Sequence, residues 1–242
     1  MFEVIDIDRK NIFILEDKDV YKDIINICFK SAILKTHNTY NSWKKRNKNE
    51  IFYNLIVGDV AKKIIGTYLK QNGITCIDYD EIRNDNFKLP DHFDLKYNNI
   101  QIEVKSSIEK YTLDLNTLLN NRRIINNHHH NHINKSEVII QVFFMPSKLN
   151  MIKHLDIILN SEFSKESTRG IANFVFNHLQ PLVVGWTTKS NLTNNDCFSV
   201  NNDNTEERKY SDLKLKDTFN IDLLPNTFNE IKMLEIQEMN IL

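Results

Sequence analysis

One stretch decides the fold, LPDHFDLKYNNIQIEVKSS, residues 89–107. It predicts two short strands joined by a tight Asn-Asn turn, because asparagine tolerates the positive φ that two-residue hairpin turns require. If Tyr97 pairs with Ile100, counting outward puts Asp94 directly opposite Glu103. Directly opposed residues lie on one face of a sheet with their Cβ atoms about 5 Å apart. The hairpin therefore brings two carboxylates together.

An ammonium group joins these carboxylates on the same predicted face. Strand alternation puts Glu103 and Lys105 on one side and the apolar residues beside them on the core side. Adjacent carboxylates repel each other, and a divalent cation relieves that repulsion. Mg²⁺ uses one or two carboxylates and keeps waters or phosphate oxygens in its other positions, and a nearby lysine can orient a water or stabilise a phosphorane. The trio Asp94, Glu103 and Lys105 therefore indicates phosphodiester hydrolysis.

The pattern Pro90-Asp91 followed by Glu103-x-Lys105 resembles the PD-(D/E)xK nucleases, the restriction-endonuclease-like superfamily. The resemblance is at the level of motif and element order and covers about residues 59–188. It implies an α/β fold in which helices flank a central mixed β-sheet. It also implies that the E-x-K carboxylate and an acid on the preceding strand bind metal, while the lysine assists catalysis. The alternative is an exposed hairpin with an incidental Asp/Glu/Lys trio.

The family's acidic position on the first strand is harder to assign in this sequence than its E-x-K carboxylate, which is Glu103. Asp91 follows the proline, whereas Asp94 has the cross-strand geometry; we favour Asp94 and leave Asp91 open. Many members of the family add an acid from the helix before this strand. Glu50 and Asp59 are the candidates here, with Asp59 nearer the usual place, and either can instead be a surface or capping carboxylate. The implied cofactor is Mg²⁺, for which Mn²⁺ can substitute.

The resemblance implies a metal-dependent endonuclease of the type II restriction kind. Such an enzyme acts on double-stranded DNA as a homodimer, and a cognate DNA methyltransferase encoded nearby would favour the restriction role. Repair, recombination and transposition nucleases of the same fold are the alternatives, as is a non-catalytic DNA-binding module. We expect a single domain over residues 1–242, with its core at about 50–190 and decorations on either side.

Composition narrows the class of protein further. The formal net charge of −1 argues against nonspecific coating of nucleic acid by charge alone. No apolar run approaches the roughly 20 residues that a membrane-spanning helix needs. The cysteines Cys28, Cys76 and Cys197 are widely spaced and odd in number, which is typical of reduced thiols. The sequence therefore predicts a cytoplasmic protein without a membrane partner.

Two basic stretches are candidates for contacts to DNA phosphates. The first lies in the polar segment 36–49, which can equally be a solvated loop anchored by Trp43, and the second lies at the end of the segment 111–125. A histidine-rich stretch at 128–132 lacks neighbouring ligands at zinc spacing, and we interpret it as a loop. The candidate phosphate contacts are Lys44, Lys45, Arg46, Lys48, Arg122 and Arg123.

Hydrophobic periodicity predicts the remaining elements. Residues 137–145 form a near-continuous apolar run, which predicts a strand buried on both faces beside the Glu103 strand. Further strands are predicted within 1–17 and at 74–77 and 182–187, and a loop at 194–209. Helices are predicted at 18–34, 50–72, 111–125, 149–159, 168–179 and 228–242.

Overall fold

The structure is a computed structural model that describes residues 2–38, 46–89, 91–128, 138–200 and 207–230. Its helices are α1 (Lys18–Asn38), α2 (Lys48–Gln71), α3 (Tyr79–Ile82), α4 (Leu115–Asn121), α5 (Met151–Leu159) and α6 (Lys165–His178). Its strands are β1 (Phe2–Ile7), β2 (Lys10–Leu15), β3 (Ile77–Asp78), β4 (Leu95–Tyr97), β5 (Ile100–Ile108), β6 (Arg123–His128), β7 (Val138–Pro146), β8 (Leu179–Thr188), β9 (Thr193–Val200) and β10 (Glu207–Lys214).

A seven-stranded mixed sheet forms the centre of the fold, in the order β1-β2-β8-β7-β5-β4-β3. Strands β5 and β7 are parallel, and the other neighbouring pairs are antiparallel. The predicted α/β class, with a central mixed sheet flanked by helices, is confirmed. Strands β1 and β2 complete the sheet from residues 2–15, which lie outside the predicted core range of 50–190.

The sheet is covered on both faces, as the apolar run in β7 predicts. Every residue of β7 is buried. Helices α1, α2 and α6 cover one face, with α2 packed directly on β5. Helix α4 and a second sheet, ordered β6-β10-β9, contribute to the apolar cluster on the other face. Strand β5 therefore lies between two apolar layers, and its half-buried polar residues define where a site can form.

Helix α2 has clear start and stop signals. Asn47 and Glu50 form a capping box, each side chain bonded to the other's backbone N–H. Gly73 follows the helix at φ 78°, a conformation that favours glycine. Gly58 lies inside the helix and does not interrupt it. No helix in the described ranges is long and apolar enough to cross a membrane.

Three predicted elements are wrong. Residues 111–125 form only the short helix α4 before β6 begins, because Arg123 to His128 pair with β10. The predicted loop at 194–209 contains β9 and the start of β10, which pair with each other. The strand predicted at 74–77 is reduced to Ile77 and Asp78, and Ile74 is instead buried in the core. Of the predicted helix 228–242, residues 224–230 are helical, and 231–242 lie outside the described residues.

Candidate active site

The β4–β5 hairpin has the predicted register. Tyr97 pairs with Ile100 and Leu95 with Ile102, and Asn98 in the turn has φ 51°. Asparagine is among the residues that tolerate this left-handed conformation. Asp94 directly precedes β4, so the same register places it opposite Glu103.

The Asp94 carboxylate is fixed by the strand that it faces. It accepts a hydrogen bond at 2.7 Å from the backbone N–H of Val104 in β5. Burial, reinforced by the negative charge of Glu103, raises the pKa of Asp94 to about 7. The two carboxylates are therefore close enough to repel, which is the condition that a bound cation relieves.

Glu103 and Lys105 lie on the face of β5 that α2 does not cover. Their neighbour Ile102 is fully buried, whereas the side chains of Glu103 and Lys105 are 24% and 27% exposed. The ammonium of Lys105 contacts Glu103 Oε1. Both charged groups therefore stay accessible to a substrate while the strand that carries them is held in the sheet.

Gln141 in β7 is aligned with Lys105 across the parallel pair. Its Nε2 donates to the Val142 carbonyl at 3.0 Å and to Ser107 Oγ at 3.3 Å, and the residue is 1% exposed. This is the bonding of a core amide that ties β7 to β5. Gln141 thus supports the strand behind the candidate site.

Asp91 forms an ion pair with Arg83. The Arg83 guanidinium contacts the Asp91 carboxylate, Asp85 Oδ1 at 2.7 Å and the Leu89 carbonyl at 2.6 Å. These contacts hold Asp85, Leu89 and Asp91 around the Arg83 guanidinium. Of the two aspartates, the structure places Asp94 beside Glu103 and Asp91 beside Arg83.

A cavity of about 520 Å³ opens next to Asp94. Its walls come from α1, α2, the segment 83–89, Asp91, Asp94 and Val104 of β5. The charged residues in its lining are Lys35, Asp59, Lys62, Arg83, Lys88, Asp91 and Asp94. Asp59, the helix acid considered as a metal ligand, therefore lies in the wall of the same cavity as Asp94.

Sequence reasoning missed a set of buried ion pairs beside this cavity. We call it the ion-pair network; it joins α1 and α2 to the chain around α3 and consists of Lys35, Asp59, Lys62, Lys63, Asp78, Asp80 and Glu81. A signal was present in the sequence. Residues 59, 62 and 63 have the i, i+3, i+4 spacing of one helix face, and charged residues on a face that is otherwise buried need partners.

The candidate DNA contacts have different surroundings. Lys44 and Lys45 lie outside the described residues. Arg46 and Lys48 are exposed at the start of α2, and Lys48 Nζ lies 5.8 Å from the ring centroid of Phe163. These two cations remain positioned for contact with a ligand at the surface.

The two arginines after α4 are bound by carboxylates. Arg122 forms two hydrogen bonds, at 2.6 and 2.8 Å, with Glu109, which is fully buried and also accepts three backbone N–H bonds. Arg123 contacts the buried Asp212 at 2.7 Å. Both arginines are thus tied to buried acids, and any role in binding DNA would compete with those pairs.

The donors available for a metal are few in the described part of the chain. No group of three or more His, Cys, Asp or Glu is arranged there to hold an ion. The pair Asp94 and Glu103 nevertheless suits Mg²⁺, which uses one or two carboxylates and fills its other positions with water or phosphate. Of the histidine-rich stretch, only the backbone of His128, at the end of β6, is described.

Comparison of the chain with protein-family models, with curated proteins and with solved structures finds no match. Function is therefore inferred from the chemistry of the candidate site. Its parts are two opposed carboxylates, an adjacent ammonium and a neighbouring cavity, an arrangement suited to hydrolysis of a phosphate ester with the help of a divalent cation.

Proposed function

We propose that this protein is a Mg²⁺-dependent DNA endonuclease that uses Asp94, Glu103 and Lys105. The observation that carries the proposal is the register of the β4–β5 hairpin, which puts Asp94 opposite Glu103 while Lys105 contacts Glu103. If the three charged residues were an incidental trio on an exposed hairpin, there would be no reason for the aspartate to be half-buried and hydrogen-bonded. Asp94 is half-buried and bonded to Val104.

Each residue has a defined task in this proposal. Asp94 and Glu103 hold the metal ion, which when bound polarises the scissile phosphate and lowers the pKa of the attacking water. Lys105 lies on the same strand, one pleat from Glu103, and its ammonium orients that water or neutralises charge on the phosphate. The parallel partner β7 and the Gln141 amide keep β5 in place.

The order of elements supports a restriction-endonuclease-like core. Helix α2 precedes the β4–β5 hairpin. Strand β7 pairs in parallel with β5, and β8 pairs antiparallel with β7. Within that class we propose a type II restriction enzyme that acts on double-stranded DNA as a homodimer. We propose that Mn²⁺ can substitute for Mg²⁺. A methyltransferase gene beside the nuclease gene would support the restriction role.

Incubation of the purified protein with plasmid DNA tests the proposal directly. We expect discrete fragments with Mg²⁺ or Mn²⁺ and none with a chelator. A smear would support nuclease activity and contradict sequence specificity. Intact plasmid that is shifted in a gel at every metal concentration would contradict the proposal and favour a DNA-binding module.

Conservative variants of the two aspartates separate their roles. We expect Asp94→Asn to raise the Mg²⁺ concentration needed for half-maximal cleavage by about 10–100-fold, because it weakens a metal ligand. Asp91→Asn is the matched control and should leave that concentration unchanged, since Asp91 contacts Arg83 and does not oppose Glu103. The measurement is the cleavage rate as a function of Mg²⁺ concentration. The opposite result would assign the metal to Asp91.

A further inference from the structure

Lys35 in α1 lies where two carboxylates converge beside the candidate active site. Its Nζ is 2.5 Å from Asp59 Oδ1 and 2.6 Å from Asp80 Oδ2. The side chains of Lys35, Asp59 and Asp80 are 8%, 9% and 11% exposed. A positive charge is therefore already built into the wall of the cavity that Asp94 also lines.

Both oxygens of Asp59 are engaged. Lys35 occupies Oδ1, and the Ser31 hydroxyl donates to Oδ2 at 2.9 Å. A metal ion that bound this carboxylate would have to displace the ammonium, the hydroxyl or both. Displacement of the ammonium would leave buried Lys35 without one of its two carboxylate partners, which is costly.

In the rest of the ion-pair network, every acid also contacts a lysine. Lys62 contacts Asp80, and its Nζ lies 2.8 Å from Asp78 Oδ1. Lys63 binds Asp78 at 2.7 Å and Glu81 at 2.5 Å. Burial lowers the pKa of Lys35, but the carboxylates of Asp59 and Asp80 more than offset it and hold that pKa above its usual value. The lysine therefore stays charged.

We infer that Lys35 takes the place of a second divalent cation, so that the chain binds a single metal ion, at Asp94 and Glu103, and Asp59 is not a ligand. The inference rests on the proposed function, which supplies the first metal. Two-metal hydrolases hold their ions about 3.5–4 Å apart with carboxylates close to both. Here Asp59, the acid of α2 that lines the same cavity as Asp94, is neutralised by a side chain of the protein itself.

Counting bound Mn²⁺ tests the inference without any measurement of cleavage. Free Mn²⁺ is followed by electron paramagnetic resonance during titration of metal-free protein. We expect one ion per chain for the wild type and two for Lys35→Met, which removes the lysine that contacts Asp59 while Lys62 still contacts Asp80. Lys63→Met is the matched control and should still bind one, because Lys62 continues to neutralise Asp78. Circular dichroism checks that each variant is folded.

A second variant keeps the test decisive if Lys35→Met does not fold. Asp59→Asn retains a hydrogen-bonding side chain, and we expect it to bind one Mn²⁺ with the affinity of the wild type. Loss of affinity by about tenfold or more would make Asp59 a ligand and overturn the inference. Two ions in the wild type, or one in folded Lys35→Met, would overturn it as well. A wild type that binds no Mn²⁺ would instead remove the proposed function, and the inference with it.

Discussion

Glu103→Gln is expected to lose DNA cleavage by roughly 10²–10³-fold or more while the protein keeps its fold, as when one group that stabilises transition-state charge is removed. Glutamine has nearly the same shape, and it still accepts a hydrogen bond from Lys105. It has no charge with which to hold the metal. Because the Glu103 side chain is about a quarter exposed and points away from α2, its replacement leaves the core unchanged.

The measurement is the initial rate of plasmid cleavage at saturating Mg²⁺, together with the thermal midpoint of unfolding. Glu162→Gln is the matched control, because Glu162 is an exposed carboxylate between α5 and α6. It should cleave at the wild-type rate. If Glu103→Gln also cleaves at that rate, the assignment of the site to β5 is wrong.

Gly185→Ala should produce the largest loss of stability among the glycine variants. A Cβ atom at Gly185 would lie 2.7 Å from both Lys10 Nζ and the Phe219 carbonyl oxygen, and closer still to Thr218 Oγ1. These atoms form the hydrogen bonds of Lys10 with Thr218 and Phe219, so none of them can move freely. We expect a loss of about 2–3 kcal/mol, typical of overpacking in a tight interior.

Thermal or urea unfolding measures this effect. For a chain of this size the loss corresponds to a fall of about 4–12 °C in the midpoint. Gly66→Ala is the control, and we expect it to raise the midpoint of unfolding. No atom lies within 4 Å of a Cβ at Gly66, and alanine within a helix is favoured over glycine by up to about 1 kcal/mol. Equal midpoints for the two variants would mean that the close approach at Gly185 is absent in solution.

The sequence was sufficient for the parts of the fold that local patterns determine. The asparagine turn and strand alternation predicted the register of Tyr97 with Ile100, and hence the position of Asp94 opposite Glu103. The near-continuous apolar run of β7 predicted its burial on both faces. In each case the information lies within a few neighbouring residues, since alternation and turn chemistry act locally.

Other parts depend on contacts between distant segments. Strands β6, β9 and β10 are largely polar and are held by pairing with one another, so nothing local distinguishes them from loops or helix ends. The contact of Lys35 with Asp80 likewise depends on how α1 packs against α2 and on the path of the chain after β3. Spacing along one helix can show that a charge needs a partner, but it cannot say which segment supplies it.

The position of the N-terminal hairpin has a consequence for folding during synthesis. Strand β2 pairs with β8, joining Phe13 to Val183, and Lys10 binds the backbone at Thr218. Strands β1 and β2 therefore cannot complete their contacts until β8 and the segment around Thr218 have been synthesised. Until then the apolar residues of β2 lack their partner strand, and such long-range pairing slows folding. Rapid synthesis of the intervening chain, or chaperone binding to the hairpin, would therefore protect it from association with other chains.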